Sequence, residues 1–155
     1  MKRRWFLLIV VLLVLTACGQ TRVKVDVPDT IEAKATQVIV EKFINANKDY
    51  DADLLISLFH NDYVSMDYGM NVGPWTKGNI SFYIKEAMAD PDSFKVRIDT
   101  YTITPDGRFA VLQGAYSQAA KSTGKWATAP AYAVLEFKDG KIIAETWYYN
   151  GEVFH

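Results

Sequence analysis

The chain has 155 residues, 50% of them hydrophobic, and its 17 Lys and Arg against 18 Asp and Glu leave a formal net charge of −1. That length suits one domain with a sizeable core, and the absence of a basic stripe argues against a nucleic-acid partner. The lone cysteine, Cys18, excludes an intrachain disulfide, and the two histidines, His60 and His155, lack metal-ligand spacing, so neither a metal nor a cofactor is expected.

Lys2, Arg3 and Arg4 open the chain with positive charge, and residues 5–15 form an unbroken apolar run, short for a membrane span and of signal-peptide length. The run ends in Leu15-Thr16-Ala17-Cys18, which resembles the lipobox of bacterial lipoproteins at all four positions. The resemblance implies that residues 1–17 are removed and that Cys18 carries acyl chains of the palmitate kind. It also implies a protein anchored in the cell envelope and facing the periplasm or exterior. Arg3-Arg4-Trp5-Phe6-Leu7 resembles part of a twin-arginine signal, but the strong apolar run favours the general secretory route. Gly19 after the cysteine corresponds, in the Gram-negative sorting pattern, to the outer membrane. Once the three basic leader residues are gone, 14 basic residues face 18 acidic ones, so membrane attachment would rest on lipid rather than on charge.

Residues 18–28 read as a polar tether, with residues 29–155 as the folded domain. Asp29 with Glu32 three positions later is a capping-box arrangement, and Ile31, Ala35, Val38, Ile39, Phe43 and Ala46 then recur at helical spacing. Residues 51–59 read as a short second helix and 62–68 as a strand. Gly69, Gly73, Pro74 and Gly78 mark an irregular connection around Trp75, after which Asn79 caps a third helix that stops at Asp90-Pro91. Strands follow at 94–104, 109–118, 126–137 and 142–149, with turns at Pro105-Asp106-Gly107 and Ser122-Thr123-Gly124. Gly114 and Pro130 interrupt strand patterns and point to bulges or bends in a curved sheet.

Asp139-Gly140 is a hairpin turn, since both central residues of the favoured two-residue turn need positive φ. Beyond it, alternation puts Ile143, Glu145, Trp147 and Tyr149 on one face and Ile142, Ala144, Thr146 and Tyr148 on the other. A lone carboxylate among large rings makes the first face either a ligand pocket or a core with one acid in need of partners.

This layout, with D-G-K-I at residues 139–142 followed by aromatic residues, resembles the nuclear transport factor 2-like superfamily and its SnoaL-like group over residues 29–155. The resemblance implies an α+β cone, with three N-terminal helices packed on a strongly curved, mostly antiparallel sheet, around an internal cavity. It also implies frequent dimers, here through Tyr116, Tyr132 and Tyr148. The ketosteroid isomerase pattern falls on Phe43, Asp67 and Ala133, so a base is present but both oxyanion donors are missing. The epoxide hydrolase and cyclase pattern falls on Glu145-Thr146-Trp147 without its arginine, with Asn150 in place of a later aspartate.

Asp67 and Glu145 are therefore the candidate catalytic or cation-recognising carboxylates. The expected ligand-binding residues are these two with Phe43, Trp75, Phe109, Val111, Gln113, Ala133, Trp147 and Tyr149. The competing readings are a turn role for Asp67 and a merely hydrogen-bonded or solvent-facing acid for Glu145. The expected function is an anchored, non-catalytic domain that binds a small apolar or aromatic ligand or a partner protein. The alternative is an isomerase, dehydratase or cyclase with Asp67 or Glu145 as general base. For the anchor, Cys18→Ala should abolish incorporation of labelled palmitate and block normal leader removal, as followed by gel mobility; unchanged labelling would exclude lipid at this residue.

Overall fold

The computed structural model describes residues 24–120 and 123–154. Cys18, the leader, most of the tether and His155 lie outside the described residues. The elements run β1 (Lys24–Asp26), α1 (Ile31–Asp49), α2 (Ala52–Ser57), β2 (Phe59–Asp67), β3 (Val72–Thr76), α3 (Lys77–Met88), β4 (Phe94–Ile103), β5 (Phe109–Ala119), β6 (Trp126–Lys138) and β7 (Lys141–Tyr149), with a closing 3-10 turn (Gly151–Phe154).

Thr30, rather than Asp29, caps α1: its hydroxyl accepts from the Ala33 N–H at 3.1 Å while donating to the Pro105 carbonyl at 2.7 Å. Asp29 instead forms an exposed ion pair with Lys34. The buried stripe of α1 is Ala33, Thr36, Val40, Phe43, Ala46 and Asn47, rotated from the expected one, and Ile31 (84%) and Val38 (52%) are exposed. The buried positions still follow helical spacing, but they include two polar residues that apolar patterning passes over. Thr36 donates to the Gly107 carbonyl at 2.6 Å, and Asn47 donates to the Phe43 carbonyl at 2.9 Å.

All seven strands form one curved mixed sheet in the order β1-β4-β5-β6-β7-β2-β3. The meander β4 to β7 is antiparallel, as is the β2–β3 hairpin, while β1 runs parallel to β4 and β2 parallel to β7. Three helices are present, but they are not all N-terminal: β1 precedes them and the β2–β3 hairpin separates α2 from α3. Strand β1 falls in the stretch expected to be a tether, and β3 in the stretch expected to be irregular. A three-residue strand leaves little periodic signal, and Gly73 and Pro74 inside β3 mask the other.

Bulges shape the sheet. Ile98 pairs with Gly114 and Thr100 with Gln113, so Asp99 is an extra residue in β4. Gly114 makes this possible, because a Cβ there would come within 1.8 Å of the Arg97 carbonyl oxygen. The β6–β7 ladder shifts in the same way between Glu136 and Phe137, leaving Ile143 as the extra residue in β7. That bulge reverses the expected parity at the start of β7: Ile142, not Ile143, is fully buried, while Glu145, Trp147 and Tyr149 keep the inward face. Pro130 produces no register shift. It pairs with Ala115 just past the last β7 contact at Ala131, where β6 needs no donor toward that neighbour.

The core lies between the helices and the inner face of the sheet, with Val40, Phe43 and Leu55 packed toward Leu112, Leu135 and Ile142. Gly114→Ala should lower unfolding free energy by about 1–3 kcal/mol, the usual cost of overpacking, measured by urea denaturation. An unchanged midpoint would mean that β4 accommodates the methyl group without strain.

Candidate functional site

A cavity of about 250 Å³ opens between α3, the β2–β3 hairpin and the inner face of β4, β5 and β7. Its position follows from parity. On β2, Tyr63, Ser65 and Asp67 alternate onto one face; on β7, Glu145, Trp147 and Tyr149 do the same; and parallel pairing sets Ser65 beside Glu145 and Asp67 beside Trp147. Ile80, Tyr83 and Ile84 present one side of α3 to the space, and Phe94, Val96 and Tyr116 close the sheet wall. Phe154 of the final turn packs edge-on to Tyr116 and Tyr149, at 5.6 and 5.9 Å between ring centres.

Glu145 is 6% exposed and has a donor on each oxygen: the Tyr63 hydroxyl at 2.5 Å on Oε2 and the Trp147 indole N–H on Oε1. Burial pushes its carboxyl above the ordinary value of 4.5, the Tyr63 and Trp147 donors offset part of that rise, and the nearby Asp67 charge adds to it. Tyr63, itself buried and stacked on Phe59 at 4.0 Å, is pushed far up by burial and by the Glu145 charge. Asp67 accepts from the Tyr149 hydroxyl at 2.7 Å and from the Met70 backbone N–H at 3.0 Å. It therefore combines the turn role with a place in the cavity wall. Burial and the bond to Asp67 raise Tyr149, and burial raises Tyr116.

Six of the ten expected site residues line the cavity: Phe43, Asp67, Trp75, Glu145, Trp147 and Tyr149. Phe109, Val111 and Gln113 do not. On β5 the inward residues are Ala110, Leu112 and Tyr116, so those three lie on the outer face, where Gln113 donates to the Tyr132 hydroxyl at 3.1 Å. Alternation alone does not distinguish the two faces of β5, because Phe109, Ala110, Val111 and Leu112 are all apolar. Ala133 faces inward but is packed between Leu112 and Trp147 in the core, away from the open volume. Tyr116, expected on a dimer surface, stacks on Tyr149 inside at 5.0 Å, while Tyr132 and Tyr148 are exposed on the outer face. Tyr63 and Ser65 went unrecognised although they lie four and two positions before Asp67 on the same strand, so counting back from the aspartate would have found them. His60, expected at an exposed helix end, lies in β2 with 19% of its side chain exposed. Among the described residues no group of three or more His, Cys, Asp or Glu is placed to hold a metal ion, and no helix is long and apolar enough to cross a membrane.

The family model of the SnoaL-like domain matches residues 40–145, and the chain belongs to that family. Among solved structures, Bal32a from a soil-derived mobile gene cassette is similar at 18% identity and a TM-score of 0.68, over 80% of this chain and 99% of that one. A proposed polyketide cyclase from Pseudomonas putida KT2440 is 19% identical with a TM-score of 0.63, over 77% and 93% of the two chains. A protein with a ketosteroid isomerase-like fold from Catenulispora acidiphila, solved in complex with trimethylamine, is 18% identical with a TM-score of 0.63, over 75% and 88%. At these identities the likeness establishes the fold alone. No curated protein matches the chain.

The direction of the Glu145 shift fixes a pH dependence. The folded protein keeps the Glu145 proton at pH values where the unfolded chain, near 4.5, has released it. This contribution to stability is thus fully present below 4.5 and is lost as pH rises through the higher folded value. Glu145→Gln should flatten that decline in urea titrations across the same pH range. A decline that persists unchanged in the variant would assign it to another group.

Proposed function

We propose that this domain binds a small, mainly apolar or aromatic molecule in its cavity and that it does so without catalysis. The observation that carries this reading is a cavity walled by aromatic and aliphatic side chains in which each oxygen of Glu145 and of Asp67 already holds a donor. Such groups fix orientation and exclude misfits, as the few polar groups in ligand pockets do. At about 250 Å³ the space falls just below the roughly 300–1,000 Å³ of pockets for drug-sized ligands, which favours a compact occupant over a multi-ring one. The L-T-A-C sequence and its leader support a lipid anchor at Cys18 that holds the domain in the cell envelope, facing the periplasm or exterior. The outer sheet face, with Val111, Tyr132 and Tyr148, offers a surface for pairing of two copies.

A second reading, a general-base enzyme of the isomerase, dehydratase or cyclase kind, is favoured by one pair. The Asp67 carboxylate and the Tyr149 hydroxyl sit 2.7 Å apart in the cavity wall, where a base and a hydrogen-bond donor could act on one molecule. The proposed cyclase function of the Pseudomonas relative is consistent with it.

Both readings meet in one experiment on the soluble domain. Toluene should give saturable NMR shifts at the Trp75 and Trp147 indoles but not at the exposed Trp126, and Ile84→Trp, which fills the space, should remove them at an unchanged unfolding midpoint. Equal response at all three indoles would overturn the cavity reading. Deuterium uptake by cyclohexanone that is lost in Asp67→Asn would favour the enzyme.

A further inference from the structure

The cavity has an electrostatic sign. Among the described residues, its wall contains two carboxylates, Asp67 and Glu145, and no lysine, arginine or histidine. Basic residues that flank the wall in sequence are engaged elsewhere: the Lys77 ammonium donates to the Phe59 carbonyl at 2.8 Å, Lys85 pairs with Asp53 at 3.0 Å, and Lys95 lies over the Trp126 ring. Rings face the same space from three sides, with Trp75 on β3, Tyr83 on α3, Tyr116 on β5 and Trp147 on β7. The faces of such rings carry negative charge density and attract cations, most strongly when water is excluded. An anionic ligand would meet two carboxylates and several π-faces of the same sign. A neutral apolar one would leave the acids uncompensated.

We propose that the molecule bound in this cavity is a small organic cation with few or no N–H groups, a tertiary or quaternary amine. This rests on the ligand-binding reading above and adds the chemical class. The hydrogen-bond inventory selects between kinds of amine. A primary ammonium carries three donors and, once desolvated, needs an acceptor for each. Here Oε1 and Oε2 of Glu145 accept from Trp147 and Tyr63, and Oδ1 and Oδ2 of Asp67 accept from the Met70 N–H and Tyr149. Roughly half of the four or so lone-pair sites on each carboxylate are thus already taken, so fewer acceptors remain for N–H donors than a free carboxylate offers. An alkylated ammonium, whose charge is spread over methyl groups and which lies against ring faces, makes no demand on those sites. The trimethylamine bound in the Catenulispora relative is a molecule of this class.

Three probes of one shape and different charge test the proposal: tetramethylammonium, tert-butanol and pivalate, each titrated against the soluble domain at one pH and ionic strength and followed at the Trp147 indole N–H. Tetramethylammonium should bind about tenfold or more tighter than tert-butanol, and pivalate weakest. Asp67→Asn combined with Glu145→Gln should erase the cation preference, so that tetramethylammonium binds no tighter than tert-butanol. Because Glu145 is buried, Asp67→Asn alone serves as the second variant and should remove part of the preference in a domain that is still folded, as judged by its NMR spectrum. Equal binding of all three probes would overturn the cation inference while the cavity reading stood. If neither these probes nor toluene bound, both would fall.

Discussion

Two hydrogen bonds, each joining residues 82 apart, tie the halves of this molecule together: Tyr63 on β2 donates to Glu145 on β7, and Tyr149 on β7 donates to Asp67 on β2. They run in opposite directions across the parallel β2–β7 seam, where the β2–β3 hairpin joins the meander. A buried carboxylate is costly unless its oxygens are satisfied, and here one of the two partners of each acid comes only from correct pairing of the two strands. A slip of one residue in β2 would send Tyr63, Ser65 and Asp67 to the opposite face together. The same contacts therefore set the register of the seam and build the polar part of the cavity.

The inner face of the sheet has two different halves. On one, Tyr101, Ile103, Leu112, Leu135 and Ile142 are buried under the helices as a close-packed core. On the other, large rings stand around open space. The boundary coincides with the bulges. In β4 the inward residues are Phe94, Val96 and Ile98 before the extra Asp99, and Tyr101 and Ile103 after it. In β7 the extra Ile143 separates Ile142, which belongs to the core, from Glu145, which belongs to the cavity. Cores normally close over voids because open space loses dispersion contacts. Stacks such as Tyr116 on Tyr149 and Trp75 near Tyr83 stand around this space, each ring held against its neighbour by a favourable contact.

Much of this architecture was legible in the sequence because its signals are local. Asp139-Gly140 marks the last hairpin, both residues adopting positive φ, and the turns at 105–107 and the meander strands follow from glycine, proline and alternation. Glu145, Trp147 and Tyr149 share a face for the same reason, and Asp67 joins them because both strands alternate. Illegible were features decided by partners far away in the chain. The burial of Thr36 depends on Gly107, 71 residues later, so no window around α1 contains its cause. The inward face of β5 is ambiguous where Ala110, Val111 and Leu112 are all apolar, and only the neighbouring strands decide between parities. Strands β1 and β3 are too short or too interrupted for a period to show. The outcome for the site is that both carboxylates were identified, whereas Tyr63, the partner that makes one of them tolerable, was not.

The strand order also has a kinetic consequence. Strand β7 is the last strand in the chain, yet it lies between β6 and β2, so the β2–β3 hairpin cannot join the meander until β7 has formed. Contacts of this range require long loops to close before they are rewarded, which slows folding relative to a simple up-and-down meander. Until β7 arrives, the β2 edge has no strand to pair with on that side, and the Tyr63 hydroxyl lacks the Glu145 carboxylate. An exposed edge of that kind is open to pairing with other chains. The seam that carries the polar part of the cavity thus depends on this long-range pairing, and until it forms the unpaired β2 edge leaves a newly made chain open to aggregation.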